Sequence, residues 1–158
     1  LLKTVMHLAK YEGRVADFIR KMQADKKTNG SDMNDIMMLA MAASYDPAPG
    51  EPYGVRLPVT GDTCEIISDR WDRWLAFDPV CLIERADVIA NLRGMKAIYL
   101  DCGNFDQFNL VFGARQLVKR LESLRIPHRY EEFADNHSSV DYRMDISLPY
   151  LYERVMAG

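Results

Sequence analysis

The fold of this chain is decided by residues 96–137, which read KAIYLDCGNFDQFNLVFGARQLVKRLESLRIPHRYEEFADNH. A short apolar run over 95–101 leads into a loop, a long amphipathic run extends to Leu124, and a second short run covers 128–133. By their hydrophobic periods these segments predict a strand, a helix and a second strand, which together form one βαβ unit. The first strand is apolar on both faces, as is typical of a parallel sheet covered by helices.

The predicted helix of this unit carries an apolar stripe that can pack on a sheet. The stripe consists of Leu110, Ala114, Leu117, Leu121 and Leu124. Gly113 lowers helix stability, so we interpret it as a point where the backbone approaches a strand closely. Pro127 ends the helix, because the residue before a proline is steered out of the helical region.

Two polar residues follow the two predicted strands. Asp106 lies in the loop after the first strand, and His137 lies in the loop after the second. Working residues of open parallel sheets collect outside the carboxyl ends of the strands. If the strands are neighbours, the two loops lie side by side, and we expect the carboxylate to contact the imidazole. Two alternatives stay open: Asp106 as the N-cap of the following helix, and Asp101 as the acidic partner.

The other polar residues near this pair, and the other histidines, are weaker candidates. His128 opens its strand at the opposite edge of the sheet, and His7 has no partner in view in the sequence. Asp135 and Asp141 are expected to be solvated. Because His137 lacks a second histidine at ligand spacing, we expect no metal site.

Composition excludes several classes of protein. The chain has 158 residues, enough for one domain with a sizeable core. A net charge of −3 without a long basic face argues against nucleic-acid binding. No apolar run approaches the roughly 20 residues of a membrane span. The three cysteines are widely spaced, so neither a disulfide framework nor a zinc site is expected, and reduced thiols favour a cytoplasmic location.

The amino-terminal part of the chain is predicted to be mainly helical. A helix over 1–25 is interrupted at Glu12, and Ser31 is the expected N-cap of a second helix over 33–44. This second helix is rich in methionine and apolar nearly all round, which favours ordinary core. The same thioether side chains also suit the lining of an acyl pocket.

One loop and two further helices are expected in the remaining segments. Prolines and glycines mark 45–62 as a loop. A helix is expected over 79–94, and a last helix over 148–156, with Pro149 in its first turn.

The number of strands is too small for a complete sheet. Two parallel strands leave hydrogen-bonding edges unpaired and cannot cover themselves. The chain also starts without an initiator methionine. We therefore expect it to be the carboxyl-terminal part of a larger α/β domain, with further strands supplied upstream or by a partner.

The predicted pair has a definite chemistry. A carboxylate that accepts from Nδ1–H of a histidine fixes its tautomer, and Nε2 can then take a proton from a nucleophile. The order acid and then histidine matches that of α/β-hydrolases, whose nucleophile sits earlier in a G-x-S-x-G turn. The chain contains no serine flanked by such glycines. The donors of the oxyanion hole are expected beside that nucleophile, so the chain would lack them as well.

A family resemblance supports this interpretation. The segment 98–110, IYLDCGNFDQFNL, with YEEF at 130–133 ahead of His137, resembles the carboxyl-terminal part of the esterase family that includes esterase D and enterochelin-esterase-like proteins. MAASY at 41–45 and WLAFDPV at 74–80 resemble the region that these α/β-hydrolases insert before the acid-bearing strand. The resemblance implies that Asp106 is the catalytic acid and that His137 is the catalytic histidine. The missing nucleophile is the departure from the family pattern.

We therefore expect an α/β fold in two parts. Residues 95–158 form the carboxyl-terminal part of an α/β-hydrolase-type parallel sheet, and residues 1–94 form a mainly helical, lid-like insertion with lead-in helices. The expected activity is hydrolysis of small-molecule carboxylic esters. The nucleophile comes from the amino-terminal part of the hydrolase domain, upstream or on another chain, so the 158-residue chain alone should be inactive. No cofactor, metal, nucleic acid or membrane is expected, and a homo-oligomer is compatible with this interpretation.

Two other functions are considered. One is a non-catalytic α/β binding or interaction fragment that keeps the frame of such an esterase and lacks its nucleophile. The other is a nucleotide-binding doubly wound domain. This last function is disfavoured, because Cys102-Gly103-Asn104 does not form a G-x-G-x-x-G turn.

Overall fold

The computed structural model describes residues 1–27 and 29–157, so that Thr28 and Gly158 lie outside the description. The chain divides into two compact units, Leu1–Asp78 and Pro79–Gly158. The described residues are mainly helical, at 57%, with a small parallel sheet in the second unit. The fold is therefore of mixed α and β structure. None of the described helices is both long enough and apolar enough to cross a membrane.

The described residues of the first unit form four helices, with short 3-10 turns at Ala9–Tyr11 and Pro52–Gly54. The helices are α1 Leu2–Leu8, α2 Val15–Ala24, α3 Gly30–Tyr45 and α4 Ser68–Leu75. Their buried side chains form one apolar core, which consists of Leu8, Phe18, Met22, Leu39, Ala42, Val55 and Trp74. Phe18 and Ala42 are fully buried at its centre.

The helix boundaries of this unit confirm one expectation and correct another. The predicted interruption is present, because Glu12 and Gly13 take left-handed φ values of 54° and 74° that end the first helical segment. The N-cap of α3 is Asn29 and not Ser31. The Asn29 side chain accepts a hydrogen bond of 2.8 Å from the backbone N–H of Asp32, so the helix begins earlier than predicted.

The long loop after α3 is held by one buried carboxylate. Asp46 is completely buried. It accepts hydrogen bonds of 2.7 Å from Nε and Nη2 of Arg56 and another of 2.7 Å from Nη1 of Arg73. The Arg56 hydrogen bonds lower the pKa of the Asp46 carboxyl, and they outweigh the opposing effect of its burial. This cluster orders a segment that contains little regular structure.

The second unit contains the predicted βαβ motif. Its elements are α5 Pro79–Leu82, α6 Ala86–Arg93, β1 Tyr99–Gly103, α7 Leu110–Ser123, β2 Arg129–Phe133 and α8 Met144–Met156. The strands pair in parallel, from Tyr99 opposite Arg129 to Gly103 opposite Phe133. The single helix predicted over 79–94 is divided into α5 and α6 by a short break.

The core of this unit lies beneath one face of α7. Ile83, Leu121 and Ile126 are at most 2% exposed. Leu100 of β1 and Leu117 of α7 are among the side chains packed against them. The predicted stripe is therefore correct in its central part.

Two details of α7 differ from the prediction. Leu110, the first residue of the stripe, is half exposed, and the buried side of the helix includes Val111 and Val118 instead. Gly113 does not mark a close approach to a strand, since a Cβ placed there would meet no atom within 4 Å.

The last helix begins earlier than predicted and carries an uncovered apolar stripe. Because α8 starts at Met144, Pro149 lies in the helix interior and not in its first turn. Residues spaced by four, four and three positions along α8 are 49–66% exposed; they are Met144, Leu148, Tyr152 and Val155. Such spacing places these side chains on one face of the helix.

Candidate functional site

The candidate site lies where the two strands end. β1 ends at Gly103 and β2 at Phe133, and these two residues are paired in the parallel ladder. Beyond them the loops stay hydrogen-bonded to each other, because Asn104 N–H donates to the Phe133 carbonyl at 2.9 Å and Phe105 N–H donates to the Asp135 carbonyl at 3.0 Å. The condition for bringing the two predicted residues together is therefore met.

Gly103 makes this close approach of the loops possible. A Cβ at this position would lie 2.6 Å from the carbonyl oxygen of Asn136 and closer still to that of Asp135. Real Cβ atoms are essentially never found at such distances from backbone atoms. Any side chain at position 103 would therefore push away the loop that carries His137.

Asp106 and His137 contact each other as the sequence predicted. Oδ2 of Asp106 lies 2.9 Å from Nδ1 of His137, and the Asp106 side chain is only 1% exposed. Oδ1 of Asp106 accepts a hydrogen bond of 2.7 Å from the backbone N–H of Phe108. The alternative of an N-cap is wrong, because the residue before α7 is Asn109, whose backbone is left-handed. Asp106 instead closes the turn that precedes the helix and also holds the imidazole.

Hydrogen bonds keep Asp106 ionised despite its burial. Burial alone raises the pKa of this carboxyl. Hydrogen bonds from His137 and from the backbone N–H groups of Phe108 and Leu110 outweigh burial, so the pKa lies below its ordinary value. An ionised carboxylate accepts hydrogen bonds and donates none, so Nδ1 of His137 carries the proton in this contact.

The second ring nitrogen of His137 is available. The side chain is 49% exposed, and Nε2 has no hydrogen-bond partner in residues 1–27 and 29–157. The rings of Phe108 and His137 pack edge to face, with their centroids 5.1 Å apart. The imidazole is thus held by Asp106 at Nδ1 and by Phe108 on one side, and Nε2 is accessible.

Gln107 fixes the backbone of the histidine loop, a role that sequence reasoning missed. Its Oε1 accepts a hydrogen bond of 3.0 Å from the backbone N–H of His137. Its Nε2 donates to Oγ of Ser138 at 3.1 Å. No local pattern marked this role, because the two residues that Gln107 contacts lie 30 and 31 positions further along the chain.

A cavity of about 300 Å³ adjoins the pair. Its wall includes Cys102, Leu110 and Val140 together with Asp106 and His137. Burial, and then the negative charge of Asp106, raise the pKa of the Cys102 thiol. The thiol is therefore protonated near neutral pH, and Cys102 is unsuited to act as the nucleophile.

The competing acids and histidines have other contacts. Asp101 accepts a hydrogen bond of 2.9 Å from Nε of Arg143, which removes it as a partner of His137. Asp135 accepts from the Tyr142 hydroxyl at 3.0 Å. Nδ1 of His128 lies 2.9 Å from the Ile126 carbonyl oxygen, at the other end of the strand.

His7 has buried partners that were not predicted from the sequence. Its imidazole contacts the buried carboxylate of Asp35, and it lies 3.7 Å from Asp32. The separation of 28 residues between His7 and Asp35 explains why no local pattern revealed the contact. Two aspartates three positions apart on an otherwise apolar helix were the available signal.

No protein-family model matches the chain, and no curated protein matches it.

Proposed function

We propose that the chain carries the acid–base pair of a serine carboxylesterase. The contact between buried Asp106 and half-exposed His137, at the carboxyl edge of a parallel sheet, is the observation that supports this function most directly. The pair matches the histidine and the acid of a Ser-His-Asp triad in residue type and in geometry, and the order acid before histidine along the chain is that of α/β-hydrolases.

In this mechanism each residue of the pair has a separate role. Asp106 holds Nδ1–H of His137 and stabilises the imidazolium that forms during the reaction. Nε2 of His137 takes the proton of the nucleophilic hydroxyl as that oxygen attacks the ester carbonyl. It then gives the proton to the departing alcohol, and water releases the acyl group in a second cycle.

The nucleophile comes from outside these 158 residues, either upstream in the same polypeptide or on another chain. Three features support this part of the proposal. The chain has no G-x-S-x-G sequence. Both strands of the described sheet have an unpaired edge. The apolar stripe of α8 is exposed. A larger hydrolase-type sheet would supply the serine and the missing strands.

The finer fold assignment belongs to the same proposal. Residues 95–158 would complete the carboxyl-terminal side of that sheet, and residues 1–94 would serve as a lid-like insertion with lead-in helices. The substrate would be a small carboxylic ester, and the compartment would be the cytoplasm, where free thiols such as Cys64, Cys81 and Cys102 persist.

Ester hydrolysis tests the proposal. We expect no turnover of p-nitrophenyl acetate or of longer p-nitrophenyl esters by residues 1–158 alone. The encoded polypeptide, with whatever residues precede Leu1, should hydrolyse these esters. In that polypeptide His137→Ala and Asp106→Asn should each reduce kcat by roughly 10⁴-fold or more.

The matched control is His128→Ala, which removes a histidine at the other end of β2 and should leave kcat unchanged. Unchanged turnover in His137→Ala would refute the catalytic assignment. An encoded polypeptide without a G-x-S-x-G strand–turn–helix and without turnover would favour the non-catalytic binding fragment.

A further inference from the structure

We propose that the first unit contains a binding site for a divalent transition-metal ion, with His7 of α1 and Asp32 of α3 as ligands and Asp35 of α3 holding the imidazole in place. The three side chains are 16%, 1% and 3% exposed, respectively. Their ligand atoms all lie within 4.8 Å of one another. The site is separate from the Asp106–His137 pair and does not depend on the function proposed for that pair.

The orientation of His7 follows from its contact with Asp35. Nδ1 of the imidazole meets Oδ2 of this buried carboxylate. A carboxylate accepts hydrogen bonds, so Nδ1 carries the proton in this contact, and in the neutral imidazole the lone pair is then on Nε2. Nε2 is directed toward Asp32, whose Oδ1 lies 3.7 Å away.

Asp32 has one satisfied oxygen and one unsatisfied oxygen. Oδ2 accepts hydrogen bonds from Nζ of Lys21 at 2.7 Å and from Nδ2 of Asn29 at 2.9 Å. Oδ1 is buried and has no hydrogen-bond partner among the described residues. A buried carboxylate oxygen without a partner is costly, and native proteins rarely contain one.

A metal ion would account for this unsatisfied oxygen. Two atoms 3.7 Å apart are too distant for a hydrogen bond. They suit two ligands of one ion, because zinc binds imidazole nitrogen at about 2.0–2.1 Å and carboxylate oxygen at about 2.0–2.2 Å. The two bond lengths together exceed the observed separation, so an ion between Nε2 and Oδ1 would have an ordinary bent ligand angle.

The surroundings resemble those of metal sites in general. A carboxylate on the far nitrogen of a ligating histidine fixes its tautomer and orientation, which is the position of Asp35. Asp35 therefore orients the imidazole from the side opposite Nε2. Donors on the second oxygen of a ligating carboxylate hold it in place, as Lys21 and Asn29 do for Asp32. Water can reach the remaining positions, because His7 is partly exposed.

The ligand set indicates the class of ion. Calcium and magnesium prefer oxygen ligands alone, whereas one imidazole with carboxylates suits zinc, cobalt and similar ions. Asp32 and Asp35 bring two carboxyl groups to the cluster, and Lys21, which is also paired with Asp25, brings one ammonium group. A divalent cation therefore also improves the charge balance of this buried cluster.

Metal titration of the whole chain tests this proposal. Cys64, Cys81 and Cys102 are alkylated first, so that thiolates do not bind the added ion. Isothermal titration with Zn²⁺ and with Co²⁺ should then show one equivalent bound. His7→Gln and Asp32→Asn should each weaken binding by at least 10–100-fold. His128→Gln is the matched control and should bind like the wild type.

A second measurement needs no variant and therefore does not depend on variant folding. Paramagnetic Co²⁺ should broaden or shift the imidazole NMR signals of His7 and leave those of His128 and His137 unaffected. Absence of binding by the alkylated wild type at millimolar Zn²⁺ and Co²⁺ would overturn the proposal. Wild-type affinity in folded His7→Gln and Asp32→Asn would overturn it too, as would Co²⁺ effects centred on another histidine.

Discussion

The two carboxylate oxygens of Asp106 accept from different donors, one from a backbone N–H and the other from the imidazole. These two contacts explain why the sequence left two roles open for Asp106. An aspartate in such a loop can close a turn or hold a histidine, and here it does both through separate atoms. The backbone contact fixes the carboxylate before any substrate arrives. Its orientation is therefore part of the fold and does not depend on ligand binding.

The glycines at 103 and 113 give a matched pair for a stability experiment. Gly103→Ala should destabilise the protein by about 1–3 kcal/mol, because its methyl group collides with backbone carbonyl groups that cannot easily move. Gly113→Ala should stabilise it by about 1 kcal/mol, because the position is helical and open. Urea unfolding measures both changes. A neutral Gly103→Ala would mean that the loops do not approach as described.

At this scale the sequence identified the acid and the histidine but not the residues that support them. The contact of Asp106 with His137 was predictable because parallel strands end at a common edge. The importance of Gly103 was not, since it depends on where the loop after the other strand passes. For the same reason, Gln107 and His7 could be assigned partners only once distant segments were placed in space.

Arg143 joins the two strands to the start of α8. It donates to Oδ2 of Asp101 at 2.9 Å, to the Tyr99 hydroxyl at 3.1 Å and to Oε2 of Glu131 at 2.6 Å. Asp101 and Glu131 are direct partners in the parallel ladder. Two like charges opposite each other on neighbouring strands destabilise a sheet. Arg143 offsets this repulsion, and its guanidinium also lies 4.5 Å from the centre of the Phe133 ring.

Removing Arg143 should therefore weaken the pairing of the strands. We expect Arg143→Met to lower the free energy of unfolding by about 1–3 kcal/mol. This range is below the usual cost of breaking a fully buried ion pair, because Asp101 and Glu131 remain 23% and 28% exposed. Adding Asp101→Asn should restore part of the loss, as a double-mutant cycle in urea unfolding would show.

Arg120→Met is the control for this cycle. Arg120 and Glu84 form an ion pair of 3.0 Å in which both side chains are more than half exposed. Its loss should change stability by less than about 1 kcal/mol. Equal effects of Arg143→Met and Arg120→Met would contradict the role given to Arg143.

The type and order of the long elements were predictable, and their ends were less so. Hydrophobic period identified β1, α7 and β2, and the apolar residues of β1 and α7 pack in one core. The break between α5 and α6 and the early start of α8 were missed. Helix ends fray and are often 3-10 in their last turn, so the ends of an element are less determined by periodicity than its centre.

At the scale of the whole molecule, the exposed stripe on α8 makes the isolated chain prone to association. Apolar residues on one face of a helix are normally covered. We expect residues 1–158 to self-associate with rising concentration in sedimentation velocity, and Leu148→Lys to reduce this association. Gln116→Lys, the same charge change at an exposed polar position of α7, should have little effect. A chain that stays monomeric up to millimolar concentration would contradict this expectation.

The mixed α and β character of the chain was predictable from its sequence, and the extent of its sheet stays a prediction. Two strands of five residues each are described, as the periodicity indicated. Further strands belong to the proposal of a larger hydrolase-type sheet. The proposed esterase function has the same dependence, since no local pattern can supply an absent nucleophile.

Asp46 accepts hydrogen bonds from both Arg56 and Arg73, and this shared contact has a consequence for the evolution of the sequence. Three positions spread over 28 residues are linked through one charge, so replacing Asp46 would leave two guanidinium groups without their common partner. Substitutions at these positions should therefore be tolerated together more readily than one at a time. In relatives of this chain, these three sites should change in concert, while exposed positions of the loop between α3 and α4 vary independently of them.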